Sequence, residues 1–238
     1  MAEVFKDRYD RQVRLIGNEA QEKISRTKVA VVGCGALGNA SANLLARAGV
    51  GLIRLVDIDK VEASNLQRQT LFRESDIGKG KAEALANHLK SINSECKTEA
   101  VKSICNSKTA ESLLNDVDII VDATDNARTR DILNSFAANA NKPFAFAAAI
   151  RHEGMAALFC GRPCYRCLFP NLPSDESCSS EGVLNAAVTA AAGWQVSEIL
   201  SYLSGKWKGT RLISFDMQKD RFDILKVKAN SGCKICKS

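Results

Sequence analysis

Four short apolar runs dominate the first 150 positions: Val29-Ala30-Val31-Val32, Leu52-Ile53-Arg54-Leu55-Val56, Val117-Asp118-Ile119-Ile120-Val121-Asp122-Ala123 and Pro143-Phe144-Ala145-Phe146-Ala147-Ala148-Ala149-Ile150. Runs this short, β-branched and nearly unbroken by polar residues predict strands covered on both faces. Helix-compatible segments rich in Ala and Leu lie between them, from Ala36 to Gly49, Ala82 to Ile92 and about Arg128 to Asn139. Thr98 to Val101 is a weaker strand, and Ala110 to Leu114 a short helix. This alternation predicts a mainly parallel α/β sheet with helices on both faces. The pattern then changes. Met155 to Cys160 follows its predecessor with no helix between, and Arg211 to Phe215 is joined to Arg221 to Val227 by a short polar turn, so these three strands are expected to extend the sheet antiparallel. Val183 to Leu203 is strongly apolar but interrupted by Asn185, Gln195 and Glu198, which reads as a buried helix or subunit contact rather than a membrane span. Glu19 to Ser25 is helical.

The first strand runs directly into Gly33-Cys34-Gly35-Ala36-Leu37-Gly38, and the second ends in Asp57, about twenty residues after the last glycine. Strand, glycine turn, helix and acid-tipped strand form a Rossmann-like nucleotide-binding pattern. Gly33 allows the tight turn, Gly35 lets the backbone approach a phosphate, Gly38 lets the helix pack on the strand, and Asp57 accepts from ribose hydroxyls. The plain alternative is a tight turn in an α/β core that binds nothing. Beyond Asp57 and Asp59, the polar run Ser64-Asn65-Leu66-Gln67-Arg68-Gln69 lies where open α/β sheets bind ligands, and Arg68 suits a two-pronged phosphate contact. Lys81 opens the next helix, where a cation opposes the helix dipole unless it faces an anion such as a triphosphate. Lys79 shares that argument. Arg8, Arg11 and Arg14 read as an exposed basic face, or as an arm reaching a neighbouring subunit's phosphate site.

Composition narrows the chemistry. With 238 residues and 45% hydrophobic content the chain can bury a full core. The +6 net charge comes from bases interspersed with acids, so nucleic acid is not the expected partner. Residues Met1 to Asp10 lack the apolar core of a signal peptide, and a cytoplasmic location with no membrane partner is expected. Only two histidines, His88 and His152, are present, which leaves histidine-based catalysis poorly supplied. Of nine cysteines, Cys164-x-x-Cys167 and Cys233-x-x-Cys236 have the knuckle spacing that zinc selects and together supply a closed tetrahedral set of four thiolates, structural rather than catalytic. Redox pairs are the competing reading. Cys178, in the polar loop from Ser174 to Gly182, is either a nucleophile or an ordinary surface thiol.

In this order the motifs closely resemble the adenylating domain of the ubiquitin-activating-enzyme superfamily, nearest its small adenylyltransferases that activate the sulfur carriers of molybdopterin and thiamine biosynthesis. The resemblance runs from Arg8-Tyr9-Asp10-Arg11-Gln12 through the glycine turn, Asp57-Ile58-Asp59, the Ser64 to Gln69 run, Gly80-Lys81, Thr124-Asp125-Asn126 and Pro163-Cys164-Tyr165-Arg166-Cys167 to the last cysteine pair. It implies one adenylation domain over residues 1–238: an N-terminal helical arm (1–27), a nucleotide-binding core (28–150) and an antiparallel extension with a zinc site and crossover loop (151–238). It implies ATP, Mg²⁺ and Zn²⁺ as ligands. ATP would be held by Gly35, Ala36, Asp57, Asp59, Ser64, Asn65, Gln67, Arg68, Gln69, Lys81, Asp125 and Asn126, with Asp125 binding Mg²⁺ and Arg11 reaching ATP across a homodimer interface. The implied partner is a small ubiquitin-fold carrier ending in Gly-Gly, whose carboxylate attacks the α-phosphate and releases pyrophosphate. Cys178 matches the cysteine through which some members form a thioester or acyl-disulfide. Ala36 departs from the glycine that many members carry. No sulfurtransferase segment follows Cys236, so any sulfur donor is expected to be separate. Two rival readings remain at this level: a nicotinamide-dependent oxidoreductase using the same glycine turn, and a non-catalytic scaffold subunit.

Overall fold

A computed structural model describes residues 2–171 and 181–236. In chain order the elements are α1 (Ala2–Ile16), α2 (Asn18–Arg26), β1 (Lys28–Val32), α3 (Ala36–Ala48), β2 (Leu52–Val56), α4 (Lys81–Ile92), β3 (Lys97–Val101), α5 (Ala110–Leu114), β4 (Ile119–Asp122), α6 (Ala127–Asn139), β5 (Phe144–Ile150), β6 (Glu153–Phe159), α7 (Tyr165–Leu168), α8 (Asn185–Leu203), β7 (Arg211–Asp216) and β8 (Arg221–Lys226). The strands form one sheet in the order β3-β2-β1-β4-β5-β6-β7-β8. β1 to β5 pair parallel, and β5 to β8 pair antiparallel, as the change of pattern near residue 150 predicts. The chain reverses direction across the sheet between β1 and β4, and that reversal opens a crevice at their carboxyl ends.

The period of two along β1 divides the core. Val29 and Val31 face a cluster built from α3, α4 and α8, with Leu45, Leu85, Leu89 and Ile199. Ala30 and Val32 face the opposite cluster, with Leu114, Leu133, Phe144, Phe146 and Tyr165. Two glycines are fixed by close approach. A Cβ on Gly38 would lie 1.9 Å from the Gly33 carbonyl oxygen, and Gly33 itself has φ +91° with the Ala123 carbonyl 2.6 Å from where its Cβ would stand. Helix, turn and β4 therefore touch through backbone alone.

α8 is the buried helix expected over Val183 to Leu203, and two of its polar interruptions find partners, although Glu198 Oε2 has none among the described residues. Gln195, wholly buried, donates to Asp122 O and Ala145 O at 2.9 Å each and accepts from Ser41 Oγ at 2.6 Å. Glu198 pairs with Arg211 at 2.6 Å. No helix among the described residues is long and apolar enough to cross a membrane.

The segment between β2 and α4 carries most of the polar motif residues and is held by Asp76, which is 4% exposed. His88 Nε2 lies 2.6 Å from Asp76 Oδ2, Lys79 Nζ donates to Oδ1 at 3.0 Å, and the Arg73 N–H donates at 3.0 Å. Burial alone would raise the carboxyl, but His88, Lys79 and the Arg73 N–H outweigh it and hold it at about 2 instead of 3.8. A depressed carboxyl adds stability that is fully present above its unfolded value and is lost as pH falls through its folded one. Asp76→Asn should therefore cost about 2 kcal/mol near neutral pH. By urea titration the gap to the parent chain should close between about pH 4 and about pH 2. A gap that does not change with pH would show that the carboxylate charge is not what secures this segment.

Candidate active site

The crevice is assembled from three strand ends. At the end of β1 the Gly33 N–H donates to Val56 O at 2.9 Å, and Gly35 caps α3, whose first-turn N–H groups face the opening with no intrahelical acceptor. Asp57, at the tip of β2, accepts from the Cys34 N–H (2.7 Å) through one oxygen and from the Asp59 N–H (2.8 Å) through the other. Each oxygen keeps a lone pair for an incoming hydroxyl. The glycine turn and the acid that the sequence pairs by spacing alone are thus joined by a hydrogen bond.

Lys81 is 9% exposed. Its Nζ donates to Asp59 Oδ2 at 3.0 Å and its N–H to Asp59 O at 2.8 Å. The anion that offsets its position in the first helical turn is Asp59, a partner the sequence analysis did not consider. Ser64 and Asn65 lie in a 3₁₀ turn in which the Asn65 side chain accepts from the Glu62 N–H (3.2 Å). Arg68 Nη1 donates to Ser64 O at 2.9 Å, which occupies one of its five N–H donors. Gln69 is buried and packs 4.0 Å from the position a Cβ on Gly35 would take, its Oε1 without a partner. Gln67 reaches toward Val183 O (3.4 Å) just before α8. Asp125 and Asn126 follow β4 and are exposed; the Asn126 side chain caps α6 by accepting from the Thr129 N–H at 2.7 Å.

Arg11 is not brought to the crevice of its own chain. It is exposed on α1, whose neighbours are anchored to the far ends of α3 and α4: Gln12 donates to Ala48 O at 2.9 Å, and Asn93 donates to the Tyr9 hydroxyl at 2.8 Å. The thirteen residues of α3 separate those anchors from the glycine turn by about 20 Å. Cys178 lies outside the described residues.

The four knuckle cysteines converge as their spacing predicts. Their sulfurs all lie within 4.8 Å of one another, with Cys164–Cys233 at 3.6 Å and Cys167–Cys236 at 3.4 Å, and none is in a disulfide. A tetrahedron with Zn–S bonds of about 2.3 Å has sulfurs about 3.8 Å apart, so the donor set fits zinc. Burial would raise the Cys233 thiol, but the Cys236 and Ile235 N–H groups aimed at its sulfur outweigh burial and bring it down to about 7. Of the other cysteines, Cys34, Cys96 and Cys105 are buried and Cys160 is half-buried.

Two supporting groups escaped the sequence analysis. Asn39, fully buried in α3, accepts the Leu71 N–H at 2.7 Å and ties the Arg68-Gln69 segment to the helix of the glycine turn. Asp122, fully buried, accepts from Arg130 Nε at 2.6 Å, while Arg130 Nη2 donates to Thr124 O at 2.8 Å, beside Asp125. The available signal was an acid closing an apolar strand, which needs a cation within reach.

Comparison with known proteins agrees with this architecture. The ThiF family profile matches residues 9–235. An adenylyltransferase and sulfurtransferase MOCS3 from Aedes aegypti is 39% identical over 240 residues, covering 96% of this chain and 55% of that protein. The Thermus thermophilus sulfur carrier protein adenylyltransferase is 36% identical over 244 residues (97% and 90%), and the Escherichia coli molybdopterin-synthase adenylyltransferase 34% over 237 (96% and 95%). The chain thus spans about half the length of some relatives and nearly all of others. A crystal structure of E. coli MccB with MccA-N7isoASN superposes with TM-score 0.86 at 23% identity, covering 98% of this chain and 75% of that one, which establishes the shared fold. None of the named relatives is an oxidoreductase. By the extent of the profile match and by these identities, the chain belongs to the ThiF family.

Proposed function

We propose that this chain uses ATP to adenylate the C-terminal glycine carboxylate of a small ubiquitin-fold sulfur carrier, releasing pyrophosphate. The observation that carries the reading is that the glycine turn bonds to Asp57, packs beside Gln69 and touches Ala123 just before Asp125, while Lys81 pairs with Asp59 next to Asp57. These groups bind and neutralise phosphates; they do not form a proton-transfer relay. In this reading the N–H groups at the start of α3, with Gly35 and Ala36, meet phosphate oxygens, Asp57 holds the ribose, and Ser64, Asn65, Gln67 and Gln69 line the nucleotide. Arg68 and Lys81 draw charge from the triphosphate as the leaving pyrophosphate develops. Asp125, with Asn126 beside it, would hold Mg²⁺, which when bound neutralises the phosphate oxygens. A carboxylate is already ionised at neutral pH, so the nucleophile needs no base. Catalysis then reduces to in-line positioning and charge neutralisation.

Arg11, remote from the crevice of its own protomer, fits the reading as a contribution from a second copy in a homodimer. Cys178 fits as the acceptor of a later acyl transfer. Zn²⁺ in the four-cysteine set would staple residues 164–167 to 233–236.

The deciding experiment is ATP–pyrophosphate exchange with a panel of ubiquitin-fold proteins ending in Gly-Gly. Exchange should require one carrier and its terminal glycine; tight ATP binding with no exchange for any carrier would favour the scaffold reading. Asp125→Ala should reduce exchange by about 100-fold or more without altering the melting curve. Undiminished exchange would strip Asp125 of its role. Cys233→Ser, or chelation of zinc, should cost several kcal/mol, with Tm falling by about 3 °C for each. An unchanged melting curve in metal-free protein would defeat the structural-zinc assignment.

A further inference from the structure

Three consecutive residues of the first knuckle each grip α6. Asn134 Nδ2 lies 3.9 Å from Cys164 Sγ, and Asn134 Oδ1 accepts the Tyr165 N–H at 2.9 Å. The Tyr165 ring, 1% exposed, packs against Arg130, whose guanidinium carbon lies 5.9 Å from its centroid and 4.8 Å from that of Phe146. Arg166 Nε pairs with Asp131 Oδ1 at 3.1 Å. Residues 130, 131 and 134 lie on neighbouring turns of one helix face. The same helix begins at the crevice, where Asn126 caps it and Arg130 reaches back to Asp122 and to Thr124 O. Asp122 also accepts from the Thr124 N–H (3.0 Å) and hydroxyl (2.6 Å), so Thr124 is held from both sides immediately before Asp125. From Asn126 to Asn134 the helix rises only about 12 Å.

We propose that α6 couples the four-cysteine site to the nucleotide site, so that metal held by those cysteines and Mg-ATP held at Asp125 strengthen each other's binding. The proposal rests on the zinc and nucleotide assignments above. Arg130 is the joint, a positioning residue wedged between Tyr165 and a carboxylate with no access to water. A buried ion pair of this kind resists graded displacement, because moving Arg130 off Asp122 leaves an uncompensated charge in the core. Shifting the knuckle therefore moves Arg130, Thr124 and the start of α6 together or not at all. A knuckle that merely fastens the chain end would leave the two affinities independent.

Coupling between binding equilibria is reciprocal, so one affinity reports on both. Zinc affinity of the full chain is measured by competition with a chromophoric chelator, with and without saturating Mg-ATP and without carrier. Mg-ATP should tighten zinc at least about 5-fold in the parent chain. In Asp131→Asn, which touches neither ligand set, and in Asn134→Leu the factor should fall to near one while circular dichroism stays native. Equal zinc affinity with and without Mg-ATP in the parent chain overturns the coupling. A factor that persists undiminished in both variants overturns the part assigned to α6, and it is the result expected if zinc loss simply unfolds the chain. Failure of the underlying assignments reads differently: a purified chain with no bound zinc, or one that gives no calorimetric signal with Mg-ATP.

Discussion

A carboxylate closed off from water cannot stay charged without a partner, and in this fold that carboxylate, Asp122, stands at the carboxyl end of the strand beside the sheet's reversal point. Arg130 supplies the charge, and with it a fixed distance between β4 and the helix that follows. Gln195 takes the Asp122 carbonyl and draws α8 onto the opposite face of the same strand. Both layers of the domain are thus referenced to one residue. Replacing the pair with apolar groups would relieve the desolvation cost of burying charge. It would also remove the contacts to Thr124 that hold the start of the Asp125 segment. The pair is better understood as a specifier of geometry than as a source of stability.

The glycine turn imposes the complementary constraint from the β1 side. Because α3 touches the turn through the Gly38 Cα and the Gly33 carbonyl, no side chain intervenes to hold the helix away from the crevice. Its positive end is delivered to the strand ends, and Asp57 ties the turn to β2 through the Cys34 N–H. Ala36, at the first position of α3, needs no special backbone conformation there. Asn39 extends the scaffold outward by securing the Leu71 N–H, and through it the run that carries Arg68. The motif residues thus hold one another at Asp57, Asp59 and Lys81, and are tied to the scaffold by residues outside the motifs such as Asn39.

That division explains what could be read from the sequence. The central strands were legible because burial on both faces leaves an unbroken apolar signature, and the pairing of the glycine turn with Asp57 because a tight turn and an acid at a strand tip each leave a local pattern. β3 gave a weak signal for a physical reason: it is an edge strand, and Glu99 faces Arg54 of β2, which also pairs with Asp116. The supporting residues were not legible. Asn39, Asp122, Arg130 and Asn134 owe their roles to partners brought near by tertiary packing, and no local spacing encodes those partners. The polar interruptions of α8 belong to the same class, since Gln195 and Glu198 are tolerable in a buried helix only because Ser41, Ala145 and Arg211 happen to face them. The arginines of α1 stayed ambiguous because the chain does not bring Arg11 to its own crevice.

Lys81 illustrates how such a site can be stable before its ligand arrives. A cation in a first helical turn, largely removed from water, would be doubly unfavourable if left alone. Asp59 relieves both penalties through a side-chain and a backbone contact. The lysine side chain is 11% exposed and the aspartate 61%, so the pair is asymmetric. An exposed carboxylate is well solvated when released, and its hold on a cation is weakened by water and salt. In the proposed function a triphosphate entering the crevice would therefore compete for Lys81 against a partner that gives it up at little cost. The backbone contact between Lys81 and Asp59 need not break in the exchange, so the ammonium can move to phosphate while its stem stays in place. The pair is thus charge-balanced but not locked, which would suit the proposed reaction, where catalysis is mostly the delivery of fixed positive charge to a departing pyrophosphate.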